Sequence, residues 1–371
     1  MKVQEAYTLP SGLTLKNRLF FAPISTLSSS VSGQVTEEEC DFYSARTGDV
    51  GAIVVASAYV SIKGKAYDNG LSISHKTCVK ELTKLARVIQ KGQTRAIIQI
   101  YHGGAMCAYR RNQKVSYCVS QDSERLLAVS DHEYQELTDD KIEMIFVEYE
   151  EALRRAIASG FDGVEIHASN NYLPYQFLMS GWNLRQDKWG GSLTNRFRFL
   201  GELIGRLQKI IEAETSGAFS LGVRLSVEDS GASGSQREES LRDTLLIIQL
   251  LNNCPIDYIH LATSDMLKEV EIDGVTLPLA KMLNKMSPSV PLIGCGNLLT
   301  APSVEKVLNE CQLASACRPY IFIPNWAEKV LNGEKISLDN VEMEPVMRRR
   351  LKIPWNLWQS VKESADWYLY R

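Results

Sequence analysis

No run in this chain is long and apolar enough to cross a bilayer, and its opening residues, MKVQEAYTLPSG, lack an apolar core leading into small residues. Neither a spanning helix nor a secretory signal is expected. Net charge is scarce as well: the formal value of −3 gives no electrostatic reason to expect nucleic acid or an anionic membrane as partner. The short basic runs Arg110-Arg111 and Arg348-Arg349-Arg350 read as solvated faces or local ion pairs. The eight cysteines contain no CxxC pair, and the five histidines no HxxxH spacing. That argues against an iron–sulfur or zinc site and against a disulfide framework. It leaves reduced thiols, several of them buried, and a cytoplasmic protein with no bound metal. Low-complexity segments are missing too.

What is present is an ordinary globular balance, 44% hydrophobic and 23% charged over 371 residues. Eight short apolar runs recur along it: Arg18–Ile24, Ala52–Ala56, Arg95–Tyr101, Gly163–His167, Leu221–Leu225, Tyr258–Ala262, Val290–Gly294 and Leu313–Cys317. Most are followed by apolar residues at three- and four-residue spacing, clearest over 145–159, 195–215, 236–251, 277–285 and 303–310. Eight buried strands alternating with helices predict an α/β fold, a (β/α)8 TIM barrel. Thr138-Asp139-Asp140 marks a helix start, a capping hydroxyl followed by acids that suit the positive helix end. Pro10-Ser11-Gly12 reads as the turn of an N-terminal hairpin closing the barrel floor. The connections 103–137 and 168–194 both follow a strand, which places both on the catalytic face, where long loops are usually functional. The whole chain, 1–371, is expected to form one domain, with the barrel core over about 17–335 and a C-terminal extension over about 340–371. In that extension the helix-like segment from Trp355 has two surfaces open to it, a neighbouring subunit in a homo-oligomer or its own barrel.

Chemistry-bearing residues gather at the predicted strand ends, where barrels place their sites. Pro23-Ile24-Ser25 close the first strand, Gln99 and His102 the third, and His167, Asn170 and Tyr172 the fourth. Arg224 lies inside the apolar Leu221–Ser226, where an unpaired cation is costly. It needs either a barrel carboxylate such as Glu165 or a ligand.

These features and their order resemble the old yellow enzyme family of FMN-dependent ene-reductases. The similarity runs through Gln99–Gly104, EIHxxxxYL at 165–173, the long block Asn183–Phe199, Gly222–Leu225 and Arg318-Pro319. The resemblance implies FMN held across the strands' C-terminal ends, NADH or NADPH as electron donor, and a small-molecule substrate, an alkene activated by a carbonyl or nitro group. It implies that His167 and Asn170 bind the substrate oxygen and that Tyr172 delivers a proton. It also implies that Pro23, Ile24, Ser25, Ser57, Gln99 and Arg224 hold the flavin ring, with the phosphate at Gly296-Asn297 and Cys317-Arg318. Four departures stand out: Ser25 where relatives carry cysteine or threonine, Asn297 and Cys317 at positions usually glycine, and Ala56 in place of a common glutamate. Two alternatives stay open, flavin-dependent oxidation or demethylation of an amine or cyclic substrate, and a non-catalytic flavin-binding redox module.

Overall fold

A computed structural model describes residues 1–109, 114–128, 131–228, 235–272, 274–339, 341 and 343–369. The run Arg110-Arg111 lies outside the described residues. Eight parallel strands form the barrel: β1 (Leu19–Phe21), β2 (Ala52–Tyr59), β3 (Arg95–Tyr101), β4 (Gly163–Ala168), β5 (Ser220–Ser226), β6 (Tyr258–Ala262), β7 (Leu292–Cys295) and β8 (Leu313–Ala316). Each pairs with its sequence neighbour, β8 pairs with β1, and the sheet closes without an edge. All eight coincide with an apolar run of the sequence, because strands covered by helices outside and side chains inside have no polar face to interrupt them. The main outer helices are α1 (Glu37–Ser44), α2 (Val79–Gln90), α3 (Asp139–Ala158), α4 (Leu193–Glu214), α5 (Ser235–Leu251), α6 (Leu279–Met286) and α7 (Ala301–Leu308). Thr138 caps α3 as expected, its hydroxyl accepting from the Lys141 amide, with Asp139 and Asp140 in the first turn.

Strand alternation sorts the interior into layers. At the floor, the antiparallel pair Tyr7–Thr8 and Thr14–Leu15 turns through Gly12 at φ +88°. It packs Leu9, Leu13 and Leu15 beneath the inward-facing Phe20, Val54, Ile97, Tyr258, Ile293 and Leu313. The next inward positions up are polar: Gln99, Glu165, Arg224, His260 and Ser315 are the partners of neighbouring strands or stand next to them in register. Gly222 is required beside Tyr258, whose ring would lie 2.1 Å from any added Cβ. Above the polar layer the barrel opens into the main cavity.

In β2 the register slips between Val55 and Ala58. This bulge reverses the alternation, so that Ala52 and Val54 face the interior below it and Ser57 and Tyr59 above it. The same counting corrects the expectation for His102. From Ile97 and Gln99 inward, residue 102 falls on the outer face, where its ring is wholly buried and packs so close to Gly64 that a Cβ there would lie 2.4 Å away. Burial pushes its pKa down to about 3, and it stays neutral.

Candidate active site

The cavity, about 830 Å³, lies at the C-terminal ends of the strands and is within the range of small-ligand and cofactor sites. Every residue singled out for cofactor or substrate lines it: Pro23, Ile24 and Ser25 after β1, Ser57 and Gln99 on β2 and β3, His167, Asn170 and Tyr172 from β4, Arg224 on β5, Gly296 and Asn297 after β7, Cys317 and Arg318 after β8.

On the β4 side, His167 is buried, and its ring meets that of Tyr172 edge-on at 4.7 Å and 88°. Tyr172 in turn leans on Tyr101 at 4.6 Å. Asn170 and Asn171 both adopt left-handed backbone, φ +53° and +60°, a conformation asparagine tolerates better than most residues. The Asn170 amide donates to Ser226 Oγ at 3.1 Å, which ties the turn to β5. Burial, with the nearby Arg224 charge adding to it, holds His167 well below its ordinary value, so the imidazole is neutral. Ser169 Oγ lies 2.9 Å from His167 Nδ1. A hydroxyl donated there leaves the ring proton on Nε2. Burial raises Tyr172 well above 10, so its phenol keeps its proton.

Behind this wall the polar layer forms one hydrogen-bonded chain. Gln99 Nε2 donates to Glu165 Oε1 at 2.7 Å, Glu165 Oε2 meets His260 Nδ1 at 2.9 Å, and His260 Nε2 meets Ser315 Oγ at 2.7 Å. Glu165 is therefore satisfied by Gln99 and His260. Arg224 makes no ion pair among the described residues; its Nη1 lies 3.3–3.4 Å from both His260 ring nitrogens. Of the two partners weighed for Arg224, the ligand is the one this geometry favours. Burial opposes charge on both members of the Glu165–His260 pair, yet their attraction prevails, lowering Glu165 and raising His260.

A pH signature follows from those two shifts. The raised histidine stabilises the fold fully below its ordinary 6.5 and loses that contribution as pH climbs through the raised value. The lowered carboxylate contributes above its ordinary 4.5 and loses that as pH falls through the lowered value. The Tm difference between wild type and His260→Gln should be widest between those two ordinary values and narrow on either side; a difference independent of pH in thermal unfolding would contradict the charged pair.

Several lining or supporting groups gave no sequence signal. The Tyr67 hydroxyl holds Ser25 Oγ at 2.7 Å and Ser57 Oγ at 3.2 Å, fixing both small hydroxyls. Cys295 enters the cavity; burial raises its thiol, but His260 and Arg224 outweigh that and bring it to about 7. Cys317 differs: burial pushes it up to about 12, so the departure from glycine adds a neutral thiol rather than a negative charge. Gly296 sits at φ +137°, and a Cβ there would lie 2.5 Å from the Thr263 carbonyl, while Asn297 takes left-handed backbone at φ +54° and donates to Asp265 at 3.1 Å. On the outer side, Thr263 and Lys268 hold Glu228 at the cavity wall. No described residue of 103–137 reaches the cavity. That connection instead forms the pair Val115–Cys118 and Glu133–Glu136, whose Tyr117 ring faces Lys63 and Lys141, and its Ser120 hydroxyl accepts from the Leu184 amide. Further wall comes from Ala262, Thr263, Ser264 and Lys268 and from Trp367 and Tyr368.

A closed barrel whose strand ends carry this cavity, lined by two arginines and by neutral donors, fits a flavin-type barrel oxidoreductase. The residues suit FMN: the guanidinium groups of Arg224 and Arg318 match anionic ends, and the tight backbone at Gly296 permits close approach. The chain belongs to the NADH:flavin oxidoreductase / NADH oxidase family, whose model it matches over residues 8–336. It is thus an NADH- or NADPH-dependent flavin oxidoreductase of the old yellow enzyme family, with FMN as cofactor. A probable NADH-dependent flavin oxidoreductase, YqiG, of Bacillus subtilis is 30% identical over 99% of this chain and 97% of its own. The NADH:fumarate oxidoreductase of Klebsiella pneumoniae is 30% identical over 96% of this chain, which spans only 38% of that longer protein. The structure of an old yellow enzyme homologue from Zymomonas mobilis superposes with a TM-score of 0.75 at 20% identity, over 94% of this chain and 96% of that one.

Proposed function

We propose that the chain, acting as a single flavin domain, takes hydride from NAD(P)H and reduces alkenes activated by a carbonyl or nitro group. The observation that carries this reading is the β4 wall, where a neutral imidazole, a carboxamide and a protonated phenol line one cavity. When bound, FMN supplies hydride storage and transfer; the protein supplies everything around it. Gln99, with one N–H held by Glu165, would offer its carbonyl and second N–H to the cofactor ring. Arg224 would set its positive charge against the cofactor ring, where such a charge favours reduction. Gly296, Asn297, Cys317 and Arg318 would take the phosphate end, and Pro23, Ile24, Ser25 and Ser57 the ring. His167 Nε2–H and the Asn170 side-chain carboxamide would grip the substrate oxygen and stabilise the charge that grows there as hydride arrives at the β-carbon. Tyr172 donates the proton to the α-carbon; with so high a pKa it acts only on a strongly basic, enolate-like partner.

The relative named for fumarate supports the alkene class, since fumarate is an alkene conjugated to carboxylates. The test is direct. Purified protein should be yellow, release FMN on heating, and oxidise NADH or NADPH anaerobically with cyclohexenone. Turnover of N-methyl amino acids with none of cyclohexenone would replace this reading by amine oxidation, and a bound flavin that NAD(P)H fails to bleach would replace it by a redox-binding role.

A further inference from the structure

The C-terminal segment does not stand away from the barrel. The helix Trp355–Glu363 buries Leu357, Trp358 and Val361, and is tied down by Asn356 Nδ2 donating to the Leu27 carbonyl at 2.6 Å and the Trp355 amide to Glu38 at 3.0 Å. The chain then turns through the short helix Ala365–Tyr368 and brings two aromatic residues to the cavity mouth beside β8. Tyr368 and Leu369 are buried and anchor the turn, while Trp367 remains 59% exposed. The Trp367 ring lies over the Arg318 guanidinium at 4.9 Å, and its carbonyl accepts from Arg318 Nη1 at 2.8 Å. The Trp367 and Tyr368 rings meet edge-on at 4.7 Å. The one arginine after β8 that lines the cavity is thus gripped from outside by a residue far along the chain.

We infer that residues 355–369 form a strap whose Trp367 closes the phosphate end of the flavin site and retains the cofactor. This rests on the reading of the cavity as the FMN site. Two physical effects act together. An aromatic face opposite a guanidinium attracts it and limits its rotation, and a carbonyl acceptor fixes one of the five N–H groups in its planar fork. The guanidinium is thereby aimed before a phosphate arrives, so less freedom is lost on binding. The Trp367 side chain also stands beside the cation at the cavity wall, where it narrows the outward path. The strap slows release, because the contacts that hold Trp367 on Arg318 must be broken before the phosphate end can leave past it.

The experiment measures FMN release from holoenzyme after dilution, followed by the recovery of free-flavin fluorescence. Trp367→Ala should still bind FMN at one per chain and lose it about three- to thirtyfold faster, the range set by cation–π attraction. Trp367→Phe should recover much of the loss, since a smaller ring still faces Arg318. A chain ending at Ser364 should release faster than Trp367→Ala, because Tyr368 goes as well. Stoichiometric binding with unchanged release in Trp367→Ala overturns the strap and leaves the flavin site intact, whether or not the shortened chain folds. Wild-type protein that takes up no FMN at all overturns the cavity reading and the strap with it.

Discussion

Replacing Tyr172 by phenylalanine should leave reduction of bound flavin by NAD(P)H nearly unchanged and slow its reoxidation by cyclohexenone by about a hundredfold or more, the usual worth of a general acid. The split arises because the hydroxyl has work only in the second half-reaction, when the α-carbon becomes basic. Packing should survive the change, since the ring contacts with Tyr101 and His167 involve the aromatic faces and edges that phenylalanine keeps. Burial also predicts the pH profile. A phenol held well above 10 does not ionise through the neutral and mildly alkaline range. In wild type, reoxidation by the alkene should therefore show no alkaline limb from this group below pH about 10, its ordinary value. Stopped-flow measurement of the two half-reactions decides the matter: equal losses in both would mean that Tyr172 shapes the cavity rather than delivering a proton.

The barrel was legible because its strands are buried on both sides and announce themselves as unbroken apolar runs. The site was legible for a related reason. A polar residue at the end of such a run, or an arginine within one, is expensive unless it faces a cavity. That logic brought Gln99, His167 and Arg224 to one place. It failed for His102, where counting in twos from Gln99 predicts the outer face. His260 carried the same unused signal, standing two residues after the inward Tyr258. Tyr67 and Trp367 gave no signal at all, since each reaches the site through a turn whose path depends on tertiary packing. The block that marked the family most sharply, 183–199, does not line the cavity. Asn183 binds the carbonyls of Phe177 and Trp189 at 2.8 Å each, Arg196 the Leu178 carbonyl at 2.7 Å, and Phe199 stacks on Phe177 at 4.3 Å. Its specificity reflects the demands of clamping a long loop, while the residues assigned to cofactor and substrate are spread over the ends of seven strands.

The second large effect is expected at His167. Its replacement by alanine should slow alkene reduction about a hundred- to a thousandfold, the range for losing one preorganised oxyanion donor. The donor must be neutral and carry its proton on Nε2: burial with the Arg224 charge suppresses protonation, and a hydroxyl donated by Ser169 to Nδ1 would leave the proton on Nε2. Because the imidazole sits well below 6.5, wild-type rates should show no acid limb near that value, where an ordinary histidine would give one. Phenols offer an independent readout, since a phenolate places an anionic oxygen where the enolate-like oxygen would lie. Wild-type protein should bind them with a long-wavelength absorption band, and His167→Ala should lose most of that band and of the affinity. Ser169→Ala should weaken the band less than His167→Ala does, because the ring remains and only its tautomer is released. A band of full strength in His167→Ala would place the imidazole away from the bound oxygen and remove it from the proposed chemistry.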